Sequence, residues 1–293
     1  MIKPERVSFL AEDRHHLRGH LFVGPDQPRQ CTLIACATGV RQQLYFRFAA
    51  VLAARRCAVL TFDYRGIGMS LTAPHVRDST AQKAHWGIYD MPAAVDFLTE
   101  RFPGSPISLV GHSAGGQLIG LMHNVNRFDR IVQISCSSGY VNGVSPRMWP
   151  FAAFMINAYM PLSSQLLGYG PAKLLGWGED LPAGVALDWS RWCRTPGYLA
   201  TDIGSTIDVD YHDDIRCPIL NVRFTDDPIA STANVTDLLR LFPHADIERR
   251  EISPDAIGAP IGHIDFFRQR CAALWPDIID WLTMPPSVER MAE

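Results

Sequence analysis

The sequence predicts an α/β fold, a doubly wound and mostly parallel sheet with a helical cap inserted after the sixth strand. Three observations carry this expectation. Short apolar runs alternate with helix-compatible stretches towards both ends of the chain, as in strands joined by crossover helices. One such run, Ile107-Ser-Leu-Val110, drives straight into Gly111-His-Ser-Ala-Gly115 and a helix-compatible stretch from Gly116 to Asn124. The alternation breaks only from about Tyr140 to Asp214, a stretch rich in Trp, Pro, Gly, Met and Tyr.

The elements follow in order. Residues 6–11 and 17–23 read as a hairpin around the charged turn 12–15. Residues 32–37 form a continuous apolar strand, followed by a glycine-containing loop and a helix over 44–55. A strand at 58–63, a Gly/Ser loop and a helix near 87–101 lead to the strand that ends at Gly111. A strand at 130–135 closes the first half. After the break come strand 219–224, helix 233–241, strand 246–251 and helix 266–281. Continuous apolar strands mean a sheet covered on both faces, and its carboxyl edge is the expected place for a site. The predicted division is a core of 1–139 and 215–293 with a cap of 140–214, which holds helical pieces at 149–160 and 184–193. The tail after Met284 is expected to fray.

With 293 residues the chain can bury a large single core plus an inserted subdomain. Its net charge of -3 and the absence of a basic stripe argue against nucleic acid or an anionic membrane as partner. No apolar stretch is long enough to span a bilayer, and the N-terminus lacks the apolar core of a secretory signal. Seven scattered cysteines, never in C-x-x-C spacing, read as reduced small hydrophobes and suggest a cytoplasmic location. No cofactor or metal is expected. The glycines of Asp63-Tyr-Arg-Gly-Ile-Gly-Met-Ser70 do not spell a dinucleotide fingerprint. The aspartates 202, 208, 210, 213 and 214 read as a solvated loop whose spacing matches no EF-hand.

Strand, G-x-S-x-G and helix in succession define a nucleophile elbow. Ser113 sits on a tight turn, and Gly111 and Gly115 leave out side chains that would collide. A serine hydroxyl needs a neutral histidine as base, and that histidine needs a carboxylate to fix its tautomer. In this architecture the order is Ser, then acid, then His. Of the histidines downstream, His123 falls in the elbow helix, His212 in a solvated acidic loop, and His244 in a Pro-His turn. His263 precedes the last helix, where a base could reach over the sheet edge. The strand 219–224 ends in Thr-Asp226-Asp227-Pro228. Asp227 is the expected acid, with Asp226 as the alternative and otherwise a turn cap. The oxyanion needs two backbone donors: the expected ones are the N–H of Ala114 and that of Val40 in Ala37-Thr-Gly-Val40. His112 should point back into the scaffold.

On Phe62-Asp-Tyr-Arg-Gly-Ile-Gly68, Gly111-His-Ser-Ala-Gly-Gly116, Asp226-Asp-Pro-Ile229 and Gly262-His-Ile-Asp-Phe-Phe267, the chain resembles the α/β-hydrolase superfamily. More narrowly, it is similar to a bacterial group of predicted serine hydrolases with GHSxGGQ and a cap containing Gly178-Glu-Asp-Leu-Pro182. The resemblance implies Ser113, Asp227 and His263 as a triad. It departs at Thr38-Gly39, where His-Gly is usual, and after His263, where Ile264-Asp265 replaces a small residue.

The expected activity is cofactor-free cleavage of carboxylic esters through an acyl-enzyme on Ser113. The same triad serves acyltransferases, thioesterases and amidases, and a binding protein that has lost catalysis is a further alternative. The partner is then a small-molecule ester or acyl substrate, and a homo-oligomer is compatible with the sequence. The aromatic cap suggests apolar, medium-sized substrates, with Trp149, Tyr159, Trp189 and Trp192 as candidate contacts.

Overall fold

In the computed structural model, which describes residues 2–284, the strand Cys57–Asp63 is buried along its whole length. It is one of ten. The order is β1 (Glu5–Leu10), β2 (His16–Phe22), β3 (Gln30–Ala35), β4 (Cys57–Asp63), β5 (Ile107–His112), β6 (Phe128–Ile134), β7 (Tyr169–Gly170), β8 (Leu181–Pro182), β9 (Ile219–Phe224) and β10 (Ile247–Ile252). Eight of them form one sheet, β1-β2-β4-β3-β5-β6-β9-β10, and β7 and β8 form a separate ribbon. Within the eight-stranded sheet antiparallel pairing is confined to the β1–β2 hairpin and to β2–β4. The other neighbours are parallel. The predicted hairpin and strands are therefore present, within two residues at each end. The expectation of a frayed tail lies outside the described residues.

The chain runs from β3 to β4 on one side and returns to place β5 on the other side of β3. Such a reversal leaves a crevice at the carboxyl ends of the strands, because the loops after β3 and β5 leave in opposite directions. Residues 37–41, Ser113, Asp226, Asp227 and His263 all follow carboxyl ends on this edge or reach over it. Val59, Leu60, Leu109, Val110, Ile131, Val132, Leu220 and Val222 are fully buried beneath it. Burial of such a side chain contributes about 1.5–3 kcal/mol, so the sheet is a rigid platform for whatever stands on its edge.

Several elements differ from expectation for a physical reason. The helix after Ser113 is a single turn, Ala114–Gln117, followed by a 3-10 turn at Ile119–Leu121, so His123 lies beyond it and is exposed. The predicted helices at 87–101 and 149–160 each contain a π turn, Trp86–Asp90 and Met155–Tyr159. In both, a Met-Pro pair (Met91-Pro92, Met160-Pro161) opens the next α segment. Proline has no N–H and its ring presses on the carbonyl four residues back, which the wider turn relieves. The last predicted helix begins as 3-10 turns and becomes α only at Trp275–Thr283.

Between β6 and β9, residues 135–218 form an insert with α-helices Trp149–Phe154, Met160–Leu167 and Ala183–Trp192. Its acidic loop is only partly solvated. Asp202 is buried, accepting from Arg191 and from Trp192 Nε1 at 2.7 Å. His212, expected in solvent, is buried too, with Nδ1 2.6 Å from Asp210 Oδ1. No helix among the described residues is long and apolar enough to cross a membrane.

Candidate active site

β5 ends at His112, and Ser113 takes φ 48° and ψ -109°. A non-glycine residue in such a region costs about 1–3 kcal/mol and persists only where its surroundings impose it. Here they do. The Ser113 N–H donates to Ile134 O at 3.0 Å, and its carbonyl accepts from Gly116 and Gln117 at 3.0 and 3.1 Å. A Cβ on Gly115 would stand 2.2 Å from the Ala35 carbonyl oxygen, and one on Gly111 2.6 Å from the Gly116 Cα. The two glycines thus let the elbow close onto β3 and onto its own helix, and Ser113 is left standing above the edge.

His263 reaches it from the loop after β10. Its Nε2 lies 3.1 Å from Ser113 Oγ and its Nδ1 2.8 Å from Asp227 Oδ2. Asp227 Oδ1 accepts the N–H groups of Ile229 (2.9 Å) and Ala230 (3.0 Å). Burial alone pushes the Asp227 carboxyl up, but His263 and these donors outweigh it and hold the group at about 2. An ionised carboxylate only accepts, so Nδ1 carries the hydrogen and the Nε2 lone pair faces Ser113. Of the downstream histidines, His263 alone stands beside Ser113; His244 is exposed, 3.6 Å from Asp213.

Asp226 is not a cap of its own turn. Its Oδ2 and Oδ1 accept the N–H groups of Ile261 (2.9 Å) and Gly262 (3.0 Å), the two residues before His263. No local pattern signals this contact, since its partners lie 35 and 36 residues on. With N–H donors on all four oxygens, Asp226 and Asp227 act as a scaffold for the histidine loop rather than as a cation site.

His112 is buried, as expected of a scaffold residue. Ala37 N–H donates to Tyr45 Oη (2.9 Å), which in turn donates to His112 Nδ1 (2.8 Å). The Nε2 hydrogen then goes to the His263 carbonyl at 2.8 Å. Burial, with His263 nearby, pulls His112 down to about 3, so it is neutral and this direction of donation is fixed. Tyr45 and His112 thereby link the end of β3 to His263, a role the sequence does not announce.

The oxyanion expectation needs one correction. Ala114 N–H opens the elbow helix and has no intrahelical acceptor. Val40 lines the crevice, but its N–H donates to Ala37 O at 3.1 Å, closing a turn with Gly39 at φ 68°. A turn this tight turns the Val40 hydrogen inward, so Val40 is not a free donor as it stands.

Above Ser113 lies a cavity of about 750 Å³ between the sheet edge and the insert. Val144, Met148, Met155, Ile156, Trp177, Leu181 and Trp189 make its wall largely apolar. Of the four aromatic residues expected to line it, only Trp189 does. Trp192 is fully buried behind, bonded to Asp202; Trp149 is 47% exposed and bonded to Asn142; and Tyr159 Oη donates to Pro171 O. The methionines and Ile156 take their place, because helical phase decides which face looks inward and composition does not. The charged wall residues are paired: Arg41 with Glu179 at 2.8 Å, and Arg268 with Asp265.

The sequence profile of the alpha/beta hydrolase family matches residues 36–275. A soluble variant of the monoglyceride lipase of Saccharomyces cerevisiae, in complex with a substrate analog, is similar with a TM-score of 0.68 and 18% identity, over 96% of this chain and 95% of that one. The highly thermostable carboxyl esterase of Bacillus coagulans, in complex with glycerol, gives 0.64 and 11% over 96% and 98%. A Pyrococcus furiosus esterase gives 0.60 and 15% over 96% and 91%. No curated protein sequence matches closely enough to add to these. Identities this low speak for the fold alone. The family profile spans most of the chain, and the sheet order and the strained serine at its edge fit it: this chain belongs to the alpha/beta hydrolase family.

Proposed function

We propose that the protein is a serine hydrolase that cleaves carboxylic esters of apolar, medium-sized substrates, without a cofactor. The observation that supports this reading is the unbroken chain from Ser113 Oγ through His263 to an ionised Asp227, opening into an apolar cavity. In this reading Ser113 Oγ attacks the ester carbonyl carbon while His263 Nε2 takes its proton. Asp227 stabilises the imidazolium so formed. Ala114 N–H donates to the developing oxyanion, with a second donor from the loop 37–41, where Val40 serves once its N–H turns away from Ala37. His263 then gives its proton to the leaving alcohol, the C–O bond breaks, and an acyl group remains on Ser113. Water activated by the same histidine releases the acid and restores the serine.

Residues 140–214 act as a cap over a core of 1–139 and 215–293, and exclude water from the acyl side. The paired charges of the wall offer nothing to a charged substrate, whereas the cavity volume suits a medium-length acyl or aromatic group. Ser113→Ala should abolish turnover of p-nitrophenyl butyrate and labelling by a fluorophosphonate. Full retained activity in that variant would end this reading. A substrate panel in which small charged esters win would end its apolar part.

A further inference from the structure

Lys83 is fully buried, which is rare for a lysine without a carboxylate partner. Its Nζ donates to Thr38 Oγ1 at 2.6 Å. Around the amine stand three rings, Trp86, Trp189 and Tyr198, with centroids 5.8, 5.5 and 5.8 Å from Nζ. The carboxylate nearby, Asp188, is turned elsewhere: it accepts from the Lys83 backbone N–H at 2.9 Å and from Arg191 at 2.8 Å. Burial pulls the Lys83 amine down to about 7, against the opposing pull of Cys193 and Asp188. A group so costly to bury, and with one polar partner at its tip, calls for a reason beyond packing.

Thr38 supplies one. It lines the crevice with Ser113 and lies inside the Ala37–Val40 turn, from which the reading above draws the second oxyanion donor. The same turn is tied to the insert on its other flank. Glu179 N–H donates to Gly39 O at 2.7 Å, and Arg41 pairs with Glu179. Lys83 in turn is braced by the insert helix Ala183–Trp192 through Asp188 and Trp189. The loop 37–41 is therefore gripped between a backbone bond to the insert and an amine lodged under the insert helix. Thr38 is the residue by which a side chain can set the rotation of a turn hinged on Gly39.

We propose that Lys83 is a positioning residue: by holding the Thr38 hydroxyl it sets the turn that carries the second oxyanion donor, and it couples that turn to the cap. The proposal rests on the serine-hydrolase reading above. A donor moved off the oxyanion weakens the transition state and leaves ground-state binding nearly unchanged, so the loss falls on kcat.

The test uses the full chain with p-nitrophenyl butyrate, comparing K83M, T38V, T38S, K83M/T38V and Ser113→Ala. Removing an oxyanion donor outright costs about 10²–10³ in kcat, so displacing one should cost about tenfold. K83M and T38V are each expected to lower kcat by about that factor, with KM within about twofold. T38S keeps the hydroxyl and should stay within about twofold of the parent. The double variant should be no worse than the poorer single, because both act through one contact. Parental kcat in both K83M and T38V, with Ser113→Ala inactive, overturns the proposal and leaves the hydrolase reading standing. Turnover retained by Ser113→Ala removes that reading instead. Should K83M fail to fold, T38V as active as T38S still overturns the proposal.

Discussion

Ser113 and His263 stand 3.1 Å apart but are held by different kinds of force. The serine is placed by backbone alone: a strained φ of 48°, a ladder bond to Ile134, and two glycines that let the chain close against β3. The histidine sits in irregular chain after β10 and is placed by side chains. Asp226 grips the backbone before it, Asp227 its ring, and His112 its carbonyl. The serine cannot be moved without breaking the sheet edge. The histidine can be loosened one contact at a time while the fold stands.

The largest expected effect is on the histidine side. Asp227→Asn keeps the shape but offers an amide donor to Nδ1–H, favouring the tautomer whose Nε2 carries the hydrogen and cannot take one from Ser113. We expect kcat for p-nitrophenyl butyrate to fall by up to about 10⁴, by analogy with the serine-protease aspartate, with the melting temperature close to the parent's. A parental kcat would show that the ring needs no ionised partner. Gly115→Ala probes the serine side and should act on stability first. A methyl 2.2 Å from the Ala35 carbonyl cannot be accommodated without moving β3, so destabilisation by about 3 kcal/mol or more is expected in denaturant unfolding. An unchanged midpoint would mean that the elbow is softer than its geometry implies.

Asp226→Asn makes the same chemical change as Asp227→Asn one residue earlier. Asparagine keeps one acceptor and turns an NH₂ towards the other backbone N–H, so one of Ile261 and Gly262 loses its partner. Loss of one such bond is worth about 1–1.5 kcal/mol, and the loop before His263 should wander enough to lower kcat about tenfold, with little change in KM. Equal damage in both variants would erase the distinction between a residue that orients the ring and one that anchors the loop.

The contrast also decides what could be read from the chain. The elbow is local: ten consecutive residues contain the strand, both glycines and the serine, so pattern and chemistry coincide. The sheet is legible for a similar reason, since apolar runs such as Ile219–Phe224 declare burial on both faces. What holds His263 is not local. Asp226 looks like any turn aspartate, and its partners are fixed only when β9 and β10 pair. Val40 could be placed in the right loop, but whether its N–H is free depends on how the turn closes. Lys83 in Ala-Gln-Lys-Ala-His reads as a surface lysine, and nothing in its neighbours announces three rings arriving from distant segments. Trp149 and Trp189 look equivalent in composition and end differently, one half-exposed and bonded to Asn142, the other lining the cavity.

The smallest effect at neutral pH is expected at His112, and its signature is a pH dependence. His112→Gln can still donate to the His263 carbonyl but loses the bond from Tyr45, so a cost of about 1 kcal/mol in stability and a change in kcat within about threefold are expected. Acid should separate the two proteins differently. In the folded chain burial holds His112 down to about 3, from an ordinary 6.5. Between these values the unfolded chain binds more protons than the folded one, so stability rises with pH across the window. The contribution is complete above about 6.5 and is lost as pH falls towards 3. Asp227, held at about 2, loses its contribution only below its ordinary 3.8, so the two processes fall in different windows. The parent should therefore lose melting temperature between pH 6.5 and 4 faster than His112→Gln does, and the gap between them should narrow or reverse. Parallel curves over that range would mean that His112 is not the proton-free link between β3 and the histidine loop, and that His263 is held by its two aspartates alone.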